Sequence, residues 1–403
     1  MKSAPISAKE RIVTIDIIRG FALLGIFLVN MPAFHSPVFL ETHPEYTGLD
    51  YWLDLFLQLF VQTKFYTMFS FLFGLGFYIF MSRAEQKGLK IRRLFSRRLF
   101  FLLLFGGAHL ILLWFGDILL TYALTGFLLL LFYKRKTKTI LIWALSLLFL
   151  FHALVSIQFF LPEDILKEAE AEHKLQSQLA EYVDVYQHAQ YTDLVSYRFK
   201  EEVIQVLQTQ PIAMITVLAM FLFGLYAGKI GIFQPDTTQH SIINRIWRVS
   251  LILSIPLVIL LALFKLSVID LGIYKETAVY LFTSLSGLTL CFFYISSLIL
   301  LLRKKNWQKL LRPIGYTGQM ALTNYLSQTF ISLFIFLGLN FYGEVSLLTG
   351  TFICIIIYLF QVVFSYIWMK NFKFGPFEWL WRSLTYGYFQ SMKKEVNHQN
   401  NIV

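Results

Sequence analysis

The sequence predicts an all-α fold, a polytopic transmembrane helix bundle of about ten spans with a short extracytoplasmic helical insert. Composition predicts the membrane: the 403 residues are 57% hydrophobic, 18% aromatic and only 15% charged, against roughly 25% charged in a soluble domain. Patterning predicts the bundle, because the apolar residues gather into runs near the 20 or so that a helix needs to cross a bilayer core.

The polar residues 1–11 lead into the first apolar run with no small-residue cleavage site, so the first helix reads as a retained signal anchor. Spans are expected at roughly 15–33, 64–82, 97–115, 118–133, 139–160, 211–232, 247–268, 277–302, 315–338 and 347–369. Residues 50–62 carry Asp50, Asp54 and Gln58 in an otherwise apolar stretch and read as an interfacial helix. The acidic segment 161–205 reads as two short amphipathic helices over the membrane mouth. It separates an N-terminal transmembrane half, 1–160, from a C-terminal half, 206–390, and a tail at 391–403. FLFGL occurs at 71–75 and again at 221–225, an echo that an old duplication of a helical unit would leave but that chance explains better in a chain so rich in Phe, Leu and Gly.

Lys and Arg cluster at 83–98, 134–138, 303–312 and beyond 370, whereas 33–50, 161–205 and 269–276 are acidic or mixed. By the positive-inside rule both termini are cytoplasmic and the insert lies outside. The net charge of +11 then belongs to loops facing anionic lipid. No soluble basic domain exists to bind nucleic acid. Cys291 and Cys354 fall inside apolar spans and read as reduced packing residues.

Chemistry concentrates in a few polar residues within apolar runs. Asp16 and Arg19 are three apart, on one face near the cytoplasmic end of the first helix. A paired acid and base that merely eases insertion explains them equally well. Asn30 lies eleven residues beyond Arg19, close to three turns and about 16 Å along nearly the same face, so one polar stripe crosses the membrane. Intramembrane polar groups of this kind mark cavities or pathways. Lys64 opens the second span at its outer end, and Asn324, Tyr325 and Gln328 occupy adjacent faces of one turn in the ninth. His152 reads as a group bridging helices. His109, near the outer end of the third span, has Asp117 eight residues on, and a histidine oriented by a carboxylate is a general base for an oxygen or nitrogen nucleophile. On a continuous helix Asp117 would stand about 80° round and 12 Å along. Contact therefore requires the helix to end or bend near Gly116, or a bridging water. Glu378 and Arg382 follow the last span in an amphipathic segment, and Arg382 is placed to bind phosphate. No nucleotide loop, zinc spacing or nucleophile elbow appears, and no metal site is expected.

RIVTIDIIRGFALLGIFLVN (11–30), KFYTMFSFLFGLGF (64–77), H-x7-D-I-L-x-x-Y-A (109–123), GQMALTNYLSQ (318–328) and FGPFEWLWRSLTYG (374–387) together resemble the YeiB-like (DUF418-type) family of bacterial membrane proteins. The D-x-x-R-G opening is similar to that of the family-three membrane O-acyltransferases and heparan-α-glucosaminide N-acetyltransferase. This resemblance implies transfer of an acyl group from cytoplasmic acyl-CoA, such as acetyl-CoA, to a small-molecule or glycan acceptor outside the inner membrane. The family-three enzymes carry a His where this chain has Asn30. The heparan-type enzyme resembles this chain in its Asn and follows it with an outer-loop His, which His43 in HPEYTGL matches at a spacing two residues longer.

The expected mechanism follows. Arg19, Arg382 and basic loop residues hold the donor phosphates, with Asp16 and Glu378 beside them. His43 or His109 serves as the base, Asp117 orients His109, and Asn30 and Lys64 stabilise the oxyanion. Expected partners are the lipid bilayer, the coenzyme A-type donor and the acceptor, with a homodimer left open. A transporter or flippase is the alternative, since a polar path through a bundle serves export too, and unwound half-helices would favour it.

Overall fold

The computed structural model describes residues 13–40, 45–166, 176–233 and 237–394. Among them nine helical stretches are long and apolar enough to cross a membrane, and no strand is present among the described residues. The chain is a polytopic all-α bundle. The fourth expected span, 118–133, is the eleven-residue helix α6 (Leu119–Leu129), which at about 1.5 Å per residue covers half a bilayer core. The rest of its expected length, 130–133, is turn, and the span before it, expected over 97–115, ends in the extended Trp114 at φ −163° and ψ 139°. Thr121, Tyr122, Ala123 and Thr125 of α6 are buried, so protein shelters this short helix.

The chain starts with α1 (Val13–Asn30) and a single turn, α2 (Pro32–His35). The amphipathic α3 (Gly48–Phe60) presents Leu49, Trp52 and Phe56 outward and buries Leu57 and Leu59. Next come α4 (Lys64–Gln86), α5 (Ile91–Ala108), α6 and α7 (Thr137–Ser156). In the insert, α8 (Gln176–His188) is separate, but α9 (Tyr191–Arg198) runs through a π turn at Phe199–Val203 directly into α10 (Ile204–Lys229). The second insert helix is thus continuous with the sixth span. Then follow α11 (Thr237–Lys265), α12 (Lys275–Leu301) and a short α13 (Lys305–Leu310).

The expected ninth span, 315–338, is broken. It comprises α14 (Arg312–Gln319) and α15 (Ala321–Leu333), joined at Met320, whose φ −108° and ψ 33° leave the helical region. The last span is α16 (Leu347–Asn371), and α17 (Pro376–Tyr386) folds back against α5 and α15.

Two backbone approaches set the frame, each requiring glycine. The FLFGL echo is a contact: α4 crosses α10 where a Cβ on Gly74 would stand 2.0 Å from the Phe221 carbonyl oxygen, and one on Gly224 would stand 2.0 Å from that of Phe71. Likewise α1 meets α14 where a Cβ on Gly318 would stand 2.0 Å from the Asp16 carbonyl oxygen. Small residues at helix crossings let backbones touch where hydrophobicity supplies no drive between helices. Phe71, Leu75, Phe221 and Leu225 belong to the main apolar core around the first crossing. His152 bridges helices, taking Leu148 O at 2.7 Å and Ser284 Oγ of α12 at 3.2 Å.

Candidate functional site

At the end of the bundle carrying the basic loops, the close approach at Gly318 brings Arg19 to α14. Its Nη1 donates to Asp16 Oδ1 at 3.0 Å and to the Gly318 carbonyl at 3.2 Å. Two further arginines are held by rings. The Arg98 guanidinium lies 3.5 Å from the centre of the Trp381 ring, whose Nε1 donates to the Arg98 carbonyl at 2.8 Å. The Arg382 guanidinium lies 4.5 Å from the centre of the Phe374 ring. Stacking on aromatic faces is a guanidinium property that leaves the in-plane N–H fork available for an anion.

These groups surround a cavity of about 290 Å³ whose charged lining is Asp16, Arg19, Arg83, Arg98, Glu378 and Arg382. Four guanidinium groups thus face two carboxylates. Both acids have structural duties. Asp16 pairs with Arg19, and Glu378 fills the start of α15. Glu378 Oε1 accepts from Leu322 N at 2.6 Å and Thr323 N at 3.1 Å, while Oε2 accepts the Thr323 hydroxyl at 2.6 Å. The break at Met320 leaves those amides without helical partners, and the carboxylate caps them. Burial pushes the Glu378 carboxyl above its ordinary range, with these hydrogen bonds opposing the shift.

Away from the arginines the cavity wall becomes apolar, through Leu23, Leu72 and Phe73, and reaches Ile26, Ile118 and Tyr325. Ile26 is ten residues beyond Asp16, about 15 Å along α1.

Behind Tyr325 lies His109. Helix α5 gives way there to a π turn, His109–Leu113, and then to the extended Trp114. The reversal carries Asp117 back onto the imidazole: His109 Nδ1 stands 2.8 Å from Asp117 Oδ2, and both side chains are buried. Asp117 Oδ1 accepts from Leu120 N at 2.7 Å, at the start of α6. On the other side His109 Nε2 meets Thr329 Oγ1 at 2.9 Å. Tyr325 packs its ring 5.2 Å from the imidazole and donates its hydroxyl to the Gly116 carbonyl at 3.1 Å. Nδ1 and Oδ2 stand at ion-pair distance without the geometry of a hydrogen bond; a proton carried on Nδ1 leaves Nε2 as the basic nitrogen.

The remaining sequence-predicted residues lie apart from this cluster. Asn30 ends α1, half-buried. Lys64 is fully buried and donates to the Gln58 carbonyl at 3.0 Å. Asn324 and Gln328 face α16, where Asn324 Nδ2 donates to Ser365 Oγ at 3.0 Å and Gln328 Nε2 to Gln361 Oε1 at 2.9 Å. Gln361 Nε2 returns a bond to the Asn324 carbonyl at 2.9 Å. Of the three residues on α15 that the sequence singled out, Tyr325 lines the cavity, while the two amides fasten α15 to α16. His43 lies outside the described residues.

Sequence reading counted Arg83 and Arg98 only among the basic loop residues without singling them out, and it missed Thr329, which shares a face with Tyr325 at i+4. It also missed His35, which is 1% exposed.

A family model described as "Protein of unknown function (DUF418)" matches residues 227–388. That range holds Tyr325, Thr329, Glu378 and Arg382, while Arg19 and His109 lie outside it. Over most of its length the chain is similar to three bacterial proteins. It is 35% identical to "Uncharacterized protein YxaH" of Bacillus subtilis (strain 168), covering 97% of this chain and 98% of that one. It is 31% identical to "Uncharacterized 39.9 kDa protein in amylase 3'region" of Bacillus acidopullulyticus, covering 95% and 96%. It is 28% identical to "Uncharacterized protein YeiB" of Escherichia coli (strain K12), covering 93% and 96%.

Proposed function

The chain belongs to the YeiB-like DUF418 family, and we propose that this member transfers an acyl group from cytoplasmic acyl-CoA to a small-molecule or glycan acceptor across the inner membrane. One observation carries the reading. An arginine-walled cavity opens at the basic end of the bundle and runs inward to Tyr325, against which a buried His109–Asp117 pair is packed. Anion capture, a narrow apolar arm and an oriented base are what thioester-dependent acyl transfer across a membrane requires.

The residues present fit such a donor. Arg19, Arg98 and Arg382 would hold its phosphates, Arg bidentately where the fork is open. The walls at Leu23, Leu72 and Phe73 would take the thin arm. Bound donor supplies an activated acyl thioester. His109 Nε2 takes the proton of the acceptor hydroxyl or amine, and Asp117 holds the imidazole and stabilises its charged form. Thr329, already on Nε2, marks where the acceptor oxygen or nitrogen would sit. In this reading both termini and the 83–98 loop are cytoplasmic, as the Lys/Arg asymmetry directs.

Transport is the second reading, favoured by the break at Met320, since half-helix starts in transporters face anionic substrates. Here Glu378 already occupies that helix start, which weighs against it.

Calorimetry of purified protein in nanodiscs with acetyl-CoA, paired with a free-thiol assay, tests the proposal. Binding that competes with coenzyme A and slow thiol release are expected. No binding at millimolar donor, with no thiol released, would leave transport as the better account.

A further inference from the structure

The turn that carries His109 is held from outside its own helix. A π turn at a helix end leaves the last carbonyls without intrahelical donors, and the insert supplies three contacts to them. Arg198 Nη1 donates to the Leu113 carbonyl at 2.6 Å, Arg198 Nη2 reaches the Leu110 carbonyl at 3.5 Å, and the Tyr191 hydroxyl donates to the Leu112 carbonyl. Arg198 is only 2% exposed, and its Nε stands 3.1 Å from Oε2 of Glu202, which is 0% exposed.

Breaking such a buried pair leaves an uncompensated charge, so its surroundings must satisfy both partners. They do. Glu202 Oε1 accepts from Tyr182 at 2.5 Å and from Tyr186. The Tyr186 ring stacks between those of Tyr182 and Tyr342, with centroids 4.6 Å away on each side. Val203 packs with Leu110 and Leu120. The guanidinium is thereby fixed by its Nε, and its remaining N–H groups point at the carbonyls of one turn.

We infer that Arg198 and Tyr191 are positioning residues that keep the π turn in register, so that His109 stays between Asp117 and Thr329. The geometry explains why register matters. Asp117 lies eight residues beyond His109, and relaxation of the turn to α geometry rotates everything after it, carrying the carboxylate away from Nδ1. The inference rests on the acyl-transfer reading only for what His109 then does.

The test introduces a thiol by Leu110→Cys, at a position 2% exposed, in protein that keeps the buried Cys291 and Cys354. A membrane-impermeant maleimide is applied to the full chain in nanodiscs. Arg198→Ala should speed labelling at position 110 tenfold or more, and Tyr191→Phe about threefold, while Cys291 and Cys354 stay slow. Fast labelling of the native cysteines would mark Arg198→Ala as unfolded, and Tyr191→Phe, which removes one hydroxyl, then decides alone. Unchanged labelling in folded variants overturns the inference.

A second readout separates positioning from mere structural support. The downfield ring N–H signal identified by its loss in His109→Gln should vanish in Arg198→Ala and return in part in Arg198→Lys. A signal that persists in Arg198→Ala would also overturn it. Failure of the acyl-transfer reading is distinct: it would show as absent acetyl-CoA binding with these responses intact.

Discussion

Tyr325 stands between the arginine-walled cavity and the buried His109, its ring 5.2 Å from the imidazole. Tyr325→Phe keeps the ring and leaves the Gly116 carbonyl without its 3.1 Å donor, at a cost of about 1–3 kcal/mol. A lowered melting temperature with unchanged donor affinity is expected by calorimetry; weakened donor binding instead would place the hydroxyl on the donor.

Removing the base separates the two candidate histidines. His109→Gln should lower turnover by roughly 10²–10⁴-fold, the usual worth of a general base, while donor binding persists. Asp117→Asn should also lower turnover, and His43→Gln should cost little. The reverse pattern would assign proton removal to the loop of His43.

Guanidinium geometry at the cavity mouth is open to a direct test. Arg19→Lys keeps the charge, loses the fork and gives up one of the contacts to Asp16 Oδ1 and the Gly318 carbonyl. Acetyl-CoA affinity should fall about tenfold, or 1.4 kcal/mol. Equal affinity in a folded variant would return Arg19 to a purely structural pairing.

His35 gives the protein an acid-side weakness. Burial pushes its imidazole from 6.5 down to about 4, with nearby Asp50 pulling the other way. The folded state therefore keeps it neutral, while the unfolded chain takes up a proton below 6.5. Its contribution is intact above that pH and is lost as pH falls towards 4, by up to about 3 kcal/mol at about 1.4 kcal/mol per unit. Between pH 7 and pH 5 the native protein should lose more melting temperature than His35→Gln; parallel slopes would refute this.

Orientation can be read from outside intact cells. A thiol at Ala189→Cys, in the insert, should react with an impermeant maleimide, and one at Lys90→Cys should react only after lysis. Reversed accessibility would invert the membrane topology and put the arginine cavity on the wrong side for a cytoplasmic donor.

Much of the bundle was legible because hydropathy is a one-dimensional signal. A long apolar run such as 347–369 states its own length. The π turn after Ala108 was not legible, since Leu and Ile at 110–113 read as further helix. What could be seen was the condition for contact, that the helix end before Asp117. The break at Met320 was hidden similarly: the capping carboxylate comes from Glu378, more than fifty residues away. Amides gave a mixed signal. Asn324 and Gln328 stood out as polar in an apolar run, but their partners Ser365 and Gln361 decide which face they serve, and that pairing is a property of packing.

The crossing of α4 and α10 at Gly74 and Gly224 also bears on how the protein can move. Two backbones in contact, with no side chain between them to slide or re-rotamerise, act as a weld joining the first four long segments to the next. Rocking one half against the other, the usual motion of repeat-built carriers, would have to tear that weld at its tightest point. Parts attached at the rim are under no such restraint. A machine made this way keeps its chassis still and works through its fittings, so conformational traffic should be sought in the insert and around α17, with the glycine crossing as the fixed point against which it is measured.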